Sequence, residues 1–444
     1  MKIQISDTFT YKKLIKFTVP SILMMIITSV YVVVDGLFVS NYVGKEAFSS
    51  LNLIMPFIMV FGAFGFMLGT GGCALMAKYI GEGENKRANE VFSLIIYVLL
   101  IGAVVCTIFG IVFLEPISIL LGATPELLED CIIYGAILLL ALPFFMLQTS
   151  FQIFVVVADR PNMGMALSVF SGVTNIVLDY LFIVVFEWGI AGAAWATASS
   201  QIVGAIIPLI YFASKKNKSN LKIVKFRWHF KDLLKSCTNG SSEMMTNVSL
   251  SLVNMLYNIQ LMHFIGSNGV SAYGIIMYIS FIFNGVFIGY TIGACPLISY
   301  NYGAKNHIEL KSLFKKSLIL ITTVATVLTL IGVIFSREFA WIFVGYDKSL
   351  LDLSTKALSL YSISYLFSAI NIFASALYTA LNNGKISALL SFLRTLVFQA
   401  IMIMGLPYIF DIDGIWLAVV FAELMCLVLT IYFFKKANKR YNYY

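Results

Sequence analysis

The 444-residue chain is 60% hydrophobic, and Asp, Glu, Lys and Arg together make up only 12% of it. Soluble domains carry about 25% charged residues, so this composition excludes a water-soluble protein and indicates an integral membrane protein. The formal net charge of +8 would suit a nucleic-acid partner. None is expected, because the basic residues are distributed as a membrane-topology signal.

Taken in chain order, the predicted elements are twelve apolar stretches, each long enough to cross the hydrocarbon core, which takes about 20 helical residues. They lie at 14–39, 50–77, 92–114, 132–157, 163–186, 190–213, 240–264, 271–299, 317–344, 358–381, 387–410 and 414–434. No cleavable signal peptide is expected, because Lys12, Lys13 and Lys16 precede the first span and no Ala-x-Ala-like site follows it. The prediction is an all-α, multi-pass membrane protein.

The basic residues predict the orientation of the chain. If the N-terminus is cytoplasmic, 25 of the 30 Lys and Arg residues fall on the cytoplasmic side, including Lys2 and the eight between Lys215 and Lys235. Four fall outside, and Arg394 lies within a span. The positive-inside rule therefore places both termini and the long basic loop in the cytoplasm.

The six cysteines and three histidines show no metal or disulfide pattern. The cysteines fall in spans or at their ends without CxxC or CxxH spacing, so neither a disulfide framework nor a zinc site is expected. No Gly-x-x-x-x-Gly-Lys-Ser/Thr phosphate loop occurs, which argues against ATP as the energy source. We expect no covalent chemistry and no cofactor.

The two halves of the chain resemble each other. An offset of 222 residues aligns Gly44 with Gly266, Met55 with Met277, Gly71 with Gly293, Cys73 with Cys295 and Gly81 with Gly303. The predicted organisation is a six-helix lobe at 1–213, a basic linker at 214–239 and a second six-helix lobe at 240–444. Even numbers of spans make the two repeats parallel, as in two-lobed transporters. The glycines of spans two and eight are expected to allow close helix packing.

Four polar side chains stand out in the spans of the first half. Asp35 interrupts the first span, and an intramembrane carboxylate costs at least ~2.5 kcal/mol, so it marks an ion or substrate pathway by default. Asn175 and Asp179 share one face of span five, because they are four residues apart. Thr197 in span six lies at a similar depth. We expect these side chains to meet in the outer half of the N-terminal lobe.

Two carboxylates with an amide and a hydroxyl admit two interpretations. Their oxygens suit a hard cation such as Na⁺, and they equally form a protonatable pair, because two buried carboxylates cannot both stay ionised cheaply. Either interpretation couples ion entry to movement.

The chain resembles the multidrug and toxic compound extrusion (MATE) family over nearly its whole length. The resemblance lies in Val-Asp35-Gly-Leu-Phe-Val-Ser, the glycine-rich second span, Asp159-Arg-Pro-Asn and the Trp188 to Thr197 segment, and it is strongest for the MepA-like branch. It implies the MATE-type fold, a monomer, and a cation site at Asp35, Asn175, Asp179 and Thr197. It also implies that Pro20 bends the first helix and that Tyr134 lies near the site.

The second half departs from one large MATE branch, which carries acids in spans seven and ten. Span ten here has none, so that branch's ion site cannot be transferred. Arg394 and Glu423 remain as a C-lobe polar pair, with either a structural role or a role in binding cationic drugs. Glu243 is expected to be interfacial.

The predicted function is a secondary-active multidrug antiporter of the bacterial cytoplasmic membrane. It would expel amphipathic, mostly cationic drugs or dyes in exchange for H⁺ or Na⁺, among membrane lipids. The alternative is a flippase for a lipid-linked precursor, which would be expected to have more spans and a cavity rich in Arg and Lys. An ion channel would need a filter-like motif, and none is present.

Overall fold

The structure, a computed structural model, describes residues 3–214, 216–345 and 347–443, with the side chains of Lys45 and Ser267 left undescribed. Lys2 and Lys215, both counted in the charge distribution, lie outside the described residues. Across the described ranges the chain consists of helices and their connections, with no β-strand. The expected all-α architecture is confirmed.

Six helices form the first half: α1 (Tyr11–Phe38), α2 (Lys45–Gly81), α3 (Asn85–Leu120), α4 (Pro125–Val157), α5 (Pro161–Asp179) and α6 (Gly189–Ala213). The second half contains α7 (Phe230–Phe264), α8 (Ser267–Gly303), α9 (His307–Ile334), α10 (Ser336–Val344), α11 (Lys348–Ser362), α12 (Tyr365–Ala380), α13 (Gly384–Phe392), α14 (Phe398–Gly405) and α15 (Pro407–Tyr441). Three π-helical turns extend or join these helices: Val39–Val43, Tyr180–Val185 and Leu393–Val397.

Local sequence sets several helix ends. The side chains of Thr10, Asn306 and Asn383 accept hydrogen bonds from the first turns of α1, α9 and α13. Pro125 and Pro161 occupy the first turns of α4 and α5, where a proline loses no helical hydrogen bond.

Eleven of the twelve predicted spans are long and apolar enough to cross a membrane, judged over the described residues. Ten are continuous, and α11 and α12 form an eleventh with a 45° bend between them. The remaining predicted span, 240–264, is the seventh along the chain and lies in α7. This helix is 35 residues long but rich in Ser, Thr and Asn. Much of α7 is shielded by α2 and α13, so its buried polar groups, among them Ser242 and Ser249, face protein.

Two hydrophobic cores correspond to the two halves. One is formed by residues between Val39 and Leu221. The other is formed mainly by residues from Val253 onward, and the N-terminal segment adds Ile5, Phe9, Leu14 and Phe17 to it. The boundaries predicted for the lobes stay a prediction, and residues 230–239 of the predicted linker form the first turns of α7.

The halves meet along α1 with α8 and along α2 with α7 and α8. Glycines allow this approach, as the sequence predicts. A Cβ at Gly289 would lie 2.6 Å from the Cα of Ile22, and one at Gly303 would collide with the carbonyl oxygen of Lys78. A Cβ at Gly240 would collide with the carbonyl oxygen of Met67. The halves are therefore in backbone contact near the face that carries the start of α1.

A charged cluster closes the same face between the halves. The hydroxyl of Tyr79 on α2 donates to Asp232 on α7 at 2.6 Å, and Arg87 on α3 donates to the same carboxylate at 3.1 and 3.2 Å. Asp232 is buried. A buried carboxylate held by a cation and a phenol is well satisfied, so this contact stabilises the closed arrangement.

Candidate cation site in the N-terminal half

The two polar residues of α5 occupy its last turns and point into the first half. Asn175 is 1% exposed and Asp179 is fully buried, although both belong to a membrane-spanning helix. Asp179 is the last residue of α5, and the π-helical turn Tyr180–Val185 begins directly after it. Polar side chains on one face of α5 are thus kept away from lipid, as their four-residue spacing predicts.

Asp35 approaches this face from α1. It lies in the last turn of the helix, immediately before the π-helical turn Val39–Val43. Its carboxylate faces Asp179, Asn175 and Thr197. The structure therefore brings together all four residues that the sequence places at one depth.

Four of the acceptor oxygens in this group lack hydrogen-bond donors among the described residues. Asn175 Nδ2 donates to Thr197 Oγ1 at 3.5 Å. Asp35 Oδ1, Asn175 Oδ1 and both oxygens of Asp179 are buried, and none has a hydrogen-bond partner among the described residues. Buried acceptors without partners are costly, so a positive species between the carboxylates would stabilise the group.

The donor set fits such a species. Two carboxylates, an amide oxygen and a hydroxyl oxygen are the ligands that hard cations prefer, and a shared proton would serve the same two carboxylates. The described residues contain no group of three or more His, Cys, Asp and Glu side chains placed to bind a metal. Because all of these candidate ligands are oxygens, they fit H⁺ or Na⁺ better than a soft transition metal.

Two tyrosines border the carboxylates. Tyr134 on α4 is fully buried, lies within electrostatic range of Asp35 and Asp179, and its hydroxyl has no partner among the described residues. Tyr31, one helical turn before Asp35, also faces it. The sequence analysis named Tyr134 through the family resemblance and missed Tyr31, although its spacing of four residues from Asp35 was a readable signal.

Pro20 lies far from the carboxylates of Asp35 and Asp179. It is buried inside α1, about 22 Å along the helix from Asp35 at 1.5 Å per residue. The glycines of α8 pack on α1 beside it, with Gly289 against Ile22 and Gly293 against Thr18. Any bend at Pro20 would therefore act at the contact between the halves rather than at the carboxylates.

Unpaired polar atoms continue from the carboxylates toward the face that carries the start of α1. Gln148 Oε1, Ser171 Oγ and Gln201 Oε1 are buried without partners among the described residues. A side chain at Gly204 would touch both Gln148 and Ser171. Ser171 precedes Asn175 by four residues, and Gln201 follows Thr197 by four. This helical spacing places them on the same faces and would have identified them from the sequence, where they were not predicted.

In the second half of the chain, the buried carboxylate is paired with a basic side chain. Glu423 on α15 lies 3.8 Å from Arg394 and accepts a hydrogen bond of 2.8 Å from Asn371. Thr430 donates to Asn371 Oδ1 at 2.8 Å. Arg394 lies in the π-helical turn Leu393–Val397, and Glu243, which is half-buried, also interacts with it. Arg394 and Glu423 therefore form an ion pair, as the sequence suggests. The carboxylate of Glu423 is neutralised by a side chain of the protein, whereas no basic side chain among the described residues pairs with Asp35 or Asp179.

Removing Arg394 is expected to destabilise the protein more than it impairs coupling. Arg394→Met would leave Glu423 buried with Asn371 as its remaining partner, which costs roughly 3 kcal/mol for a broken buried pair. The double variant Arg394→Met, Glu423→Gln removes both charges and should recover most of that loss. Thermal unfolding of the purified variants measures both values. Loss of ion-driven transport in a well-folded Glu423→Gln variant would instead give this pair a coupling role.

Comparison with known proteins places this arrangement in a family. The MatE family model matches residues 20–181 and 244–404, one segment in each half. The multidrug export protein MepA of Staphylococcus saprophyticus subsp. saprophyticus is 23% identical over 416 residues, which cover 94% of this chain and 91% of that protein. MepA of Staphylococcus haemolyticus is 22% identical over 427 residues, covering 96% and 93%.

Solved structures share the fold at low sequence identity. A MATE transporter in complex with MaL6 superposes with a TM-score of 0.92 at 21% identity, covering 98% of each chain. A MOP superfamily transporter from Pyrococcus furiosus superposes with a TM-score of 0.91 at 22% identity, also over 98% of each chain. Because the family model matches both halves, the chain belongs to the MatE (MATE) family of transporters.

Proposed function

We propose that this protein is a secondary-active multidrug exporter that exchanges amphipathic, mostly cationic drugs or dyes for H⁺ or Na⁺. The observation that carries the proposal is the pair Asp35 and Asp179, because three of their four carboxylate oxygens are buried without a hydrogen-bond partner among the described residues. Such a pair is satisfied only when a cation is bound, so binding and release of that cation alternate with states of different charge. The names of the MepA relatives support drug export as the process to which this cycle is coupled.

The alternation requires the halves to separate on the face where they now touch. Tyr79, Arg87 and Asp232 hold that face closed, together with the glycine contacts of α2, α7 and α8. Cation binding between Asp35 and Asp179 would draw α1 toward α5, and α1 packs on α8 of the other half. A change at the carboxylates can therefore be transmitted to the contact between the halves.

A flux assay tests the function directly. Purified protein is reconstituted into liposomes that contain a cationic dye, and either a pH gradient or a Na⁺ gradient is imposed. An exchanger moves dye only under one of these gradients and returns H⁺ or Na⁺ in proportion. Dye movement that ignores both gradients would contradict the proposal. Movement of lipid-linked substrate without dye transport would favour the flippase, although Arg394, the basic residue that the charge distribution leaves within the membrane, is already paired with Glu423.

The proposed location is a bacterial cytoplasmic membrane, with a monomer whose two termini are cytoplasmic. Single cysteines at Lys218 and Asn442, both exposed, should resist an impermeant thiol reagent in intact cells of a cysteine-free variant. A cysteine at Ser349, exposed and predicted to lie outside, is the matched control and should react. Labelling of the first two from outside would reverse the orientation.

A further inference from the structure

Two pockets lie at equivalent places in the two halves. The first, of about 590 Å³, is lined by the first helix of its half, the start of the fifth and the end of the sixth, through Lys16 on α1, Arg160 and Pro161 at α5 and Tyr211 on α6. The second, of about 320 Å³, is lined by the corresponding elements of the other half. Its lining includes Lys235 and Asn239 on α7, Lys385 on α13, and Arg440 and Tyr441 on α15. Both pockets open on the face that carries the start of α1.

Each pocket gathers basic side chains that have no anion. No carboxylate lies within 4.0 Å of the charged nitrogens of the five basic residues among the described part of the chain, Lys16, Arg160, Lys235, Lys385 and Arg440. The Nε atom of Arg160 is buried and has no hydrogen-bond partner among the described residues. Burial, with Lys78 nearby, lowers the pKa of Lys235, although Glu82 and Asp232 act in the opposite direction.

The one acid in the linings is already used. Asp159 in the first pocket accepts a hydrogen bond of 2.8 Å from the backbone N–H of Ile5 and another of 3.1 Å from Asn220. The second pocket has three basic residues and no acid in its lining. Both pockets also lie at a helix N-terminus, where α5 begins at Pro161 and α13 at Gly384, and such an end favours an anion.

Hydroxyls complete the donor sets. The hydroxyl of Tyr211 is buried without a partner among the described residues, and Tyr441 in the second pocket accepts a hydrogen bond of 2.9 Å from Asn383. Two or three cations, a tyrosine and a helix N-terminus converge in each pocket. That combination suits a tetrahedral oxyanion that can accept several hydrogen bonds at once.

We propose that each half of this protein binds a phosphate group in its pocket, at the membrane face where both termini lie. The chemistry is that of an anionic lipid headgroup or of a free phosphate anion. Basic pockets between transmembrane helices at this level typically bind anionic headgroups. The pocket beside Lys385 and Arg440 binds more tightly, because its lining carries one more cation and no acid. The pockets are separate from the carboxylates of the proposed cation site.

Native mass spectrometry of the purified full chain tests the proposal. The probes are short-chain phosphatidylglycerol, short-chain phosphatidylcholine and inorganic phosphate, at one ionic strength. The unaltered protein should retain one phosphatidylglycerol per pocket in preference to phosphatidylcholine. Lys16→Gln with Arg160→Gln should remove one bound molecule, and Lys385→Gln with Arg440→Gln the other. Removing each pair should weaken binding roughly 30-fold, since each basic residue contributes about fivefold.

Matched variants separate charge in the pockets from charge on the surface. Lys222→Gln with Lys311→Gln removes two exposed basic residues elsewhere on the same face and should change nothing. Lys16→Arg with Arg160→Lys keeps the charges and should restore binding. Retention of inorganic phosphate with the same sensitivity assigns the pockets to a free anion, and retention of phosphatidylglycerol alone assigns them to a lipid. Pocket variants that bind both probes as the surface variant does would overturn the proposal.

Discussion

Asp35→Asn and Asp179→Asn are each expected to abolish gradient-driven dye efflux, to the rate of protein-free liposomes. Each substitution keeps the shape of the side chain but removes one of the two charges that a cation must balance. With a single carboxylate left, Asn at either position can donate a hydrogen bond to it, and the pair no longer requires H⁺ or Na⁺. Dye binding at equilibrium should survive, because the dye is not required to touch these carboxylates.

The same variants should be at least as stable as the unaltered protein. Four acceptor oxygens at Asp35, Asn175 and Asp179 lack partners. Supplying donors to them removes a penalty of ~1–3 kcal/mol per satisfied group when no cation is bound. Thermal unfolding at high pH without Na⁺ shows this gain. Inactive variants with a lower unfolding temperature would indicate a structural role instead.

Two controls define the specificity of this effect. Thr197→Ala removes one neutral ligand, and coupling should weaken by roughly 5- to 10-fold, which corresponds to one hydrogen bond. Glu423→Gln removes a buried carboxylate in the other half, and efflux should remain ion-driven because Arg394 already pairs with that acid. If both aspartate variants expel dye at the rate of the unaltered protein, the two carboxylates do not couple the ion to transport.

The second large effect is expected from a native cysteine pair. Cys73 on α2 and Cys295 on α8 occupy matching positions of the repeat, and their thiols lie close to each other across the contact between the halves. Both are free thiols. A membrane-permeant oxidant or a short bifunctional thiol reagent should link them and stop transport completely, since the link prevents the halves from separating on this face. A thiol reductant should restore activity after oxidation.

Cys73→Ala is the control for this experiment. It should keep its transport activity and lose its sensitivity to the oxidant, while the other cysteines remain. The yield of the link, measured by mass spectrometry of the joined peptides, should match the fraction of activity lost. Full transport by a fully linked protein would show that this contact does not open during the cycle.

The sequence predicted the fold well because membrane burial imposes long apolar helices. Segments such as 190–213 and the observed α6 (Gly189–Ala213) agree almost to the residue. The prediction was least accurate where packing, not lipid, surrounds a helix. Half of α7 is polar and shielded by α2 and α13, and the bent pair α11–α12 begins ten residues before the predicted span at 358.

The sequence predicted which charged and polar residues form the site, but not the backbone conformation beside them. An isolated Asp35, and an Asn175 and Asp179 four residues apart, are visible as polar residues in apolar helices. The π-helical turns beside Asp35, after Asp179 and around Arg394 are not, because a change from i→i+4 to i→i+5 hydrogen bonds leaves no mark in the apolar composition of the segment. The sequence also left open whether Arg394 and Glu423 form an ion pair. A count of residues gives the depth of each Cα atom in the membrane, but not how far a long side chain reaches.

Cation binding by the purified protein tests the central claim most directly. Equilibrium binding of radioactive Na⁺, together with the protons released or taken up when Na⁺ or dye is added, is measured for the unaltered protein, for Asp35→Asn with Asp179→Asn, and for Glu423→Gln. The account predicts that the unaltered protein and Glu423→Gln exchange one H⁺ or Na⁺ per molecule and that the double aspartate variant exchanges none. Undiminished cation exchange by the folded double variant would contradict it.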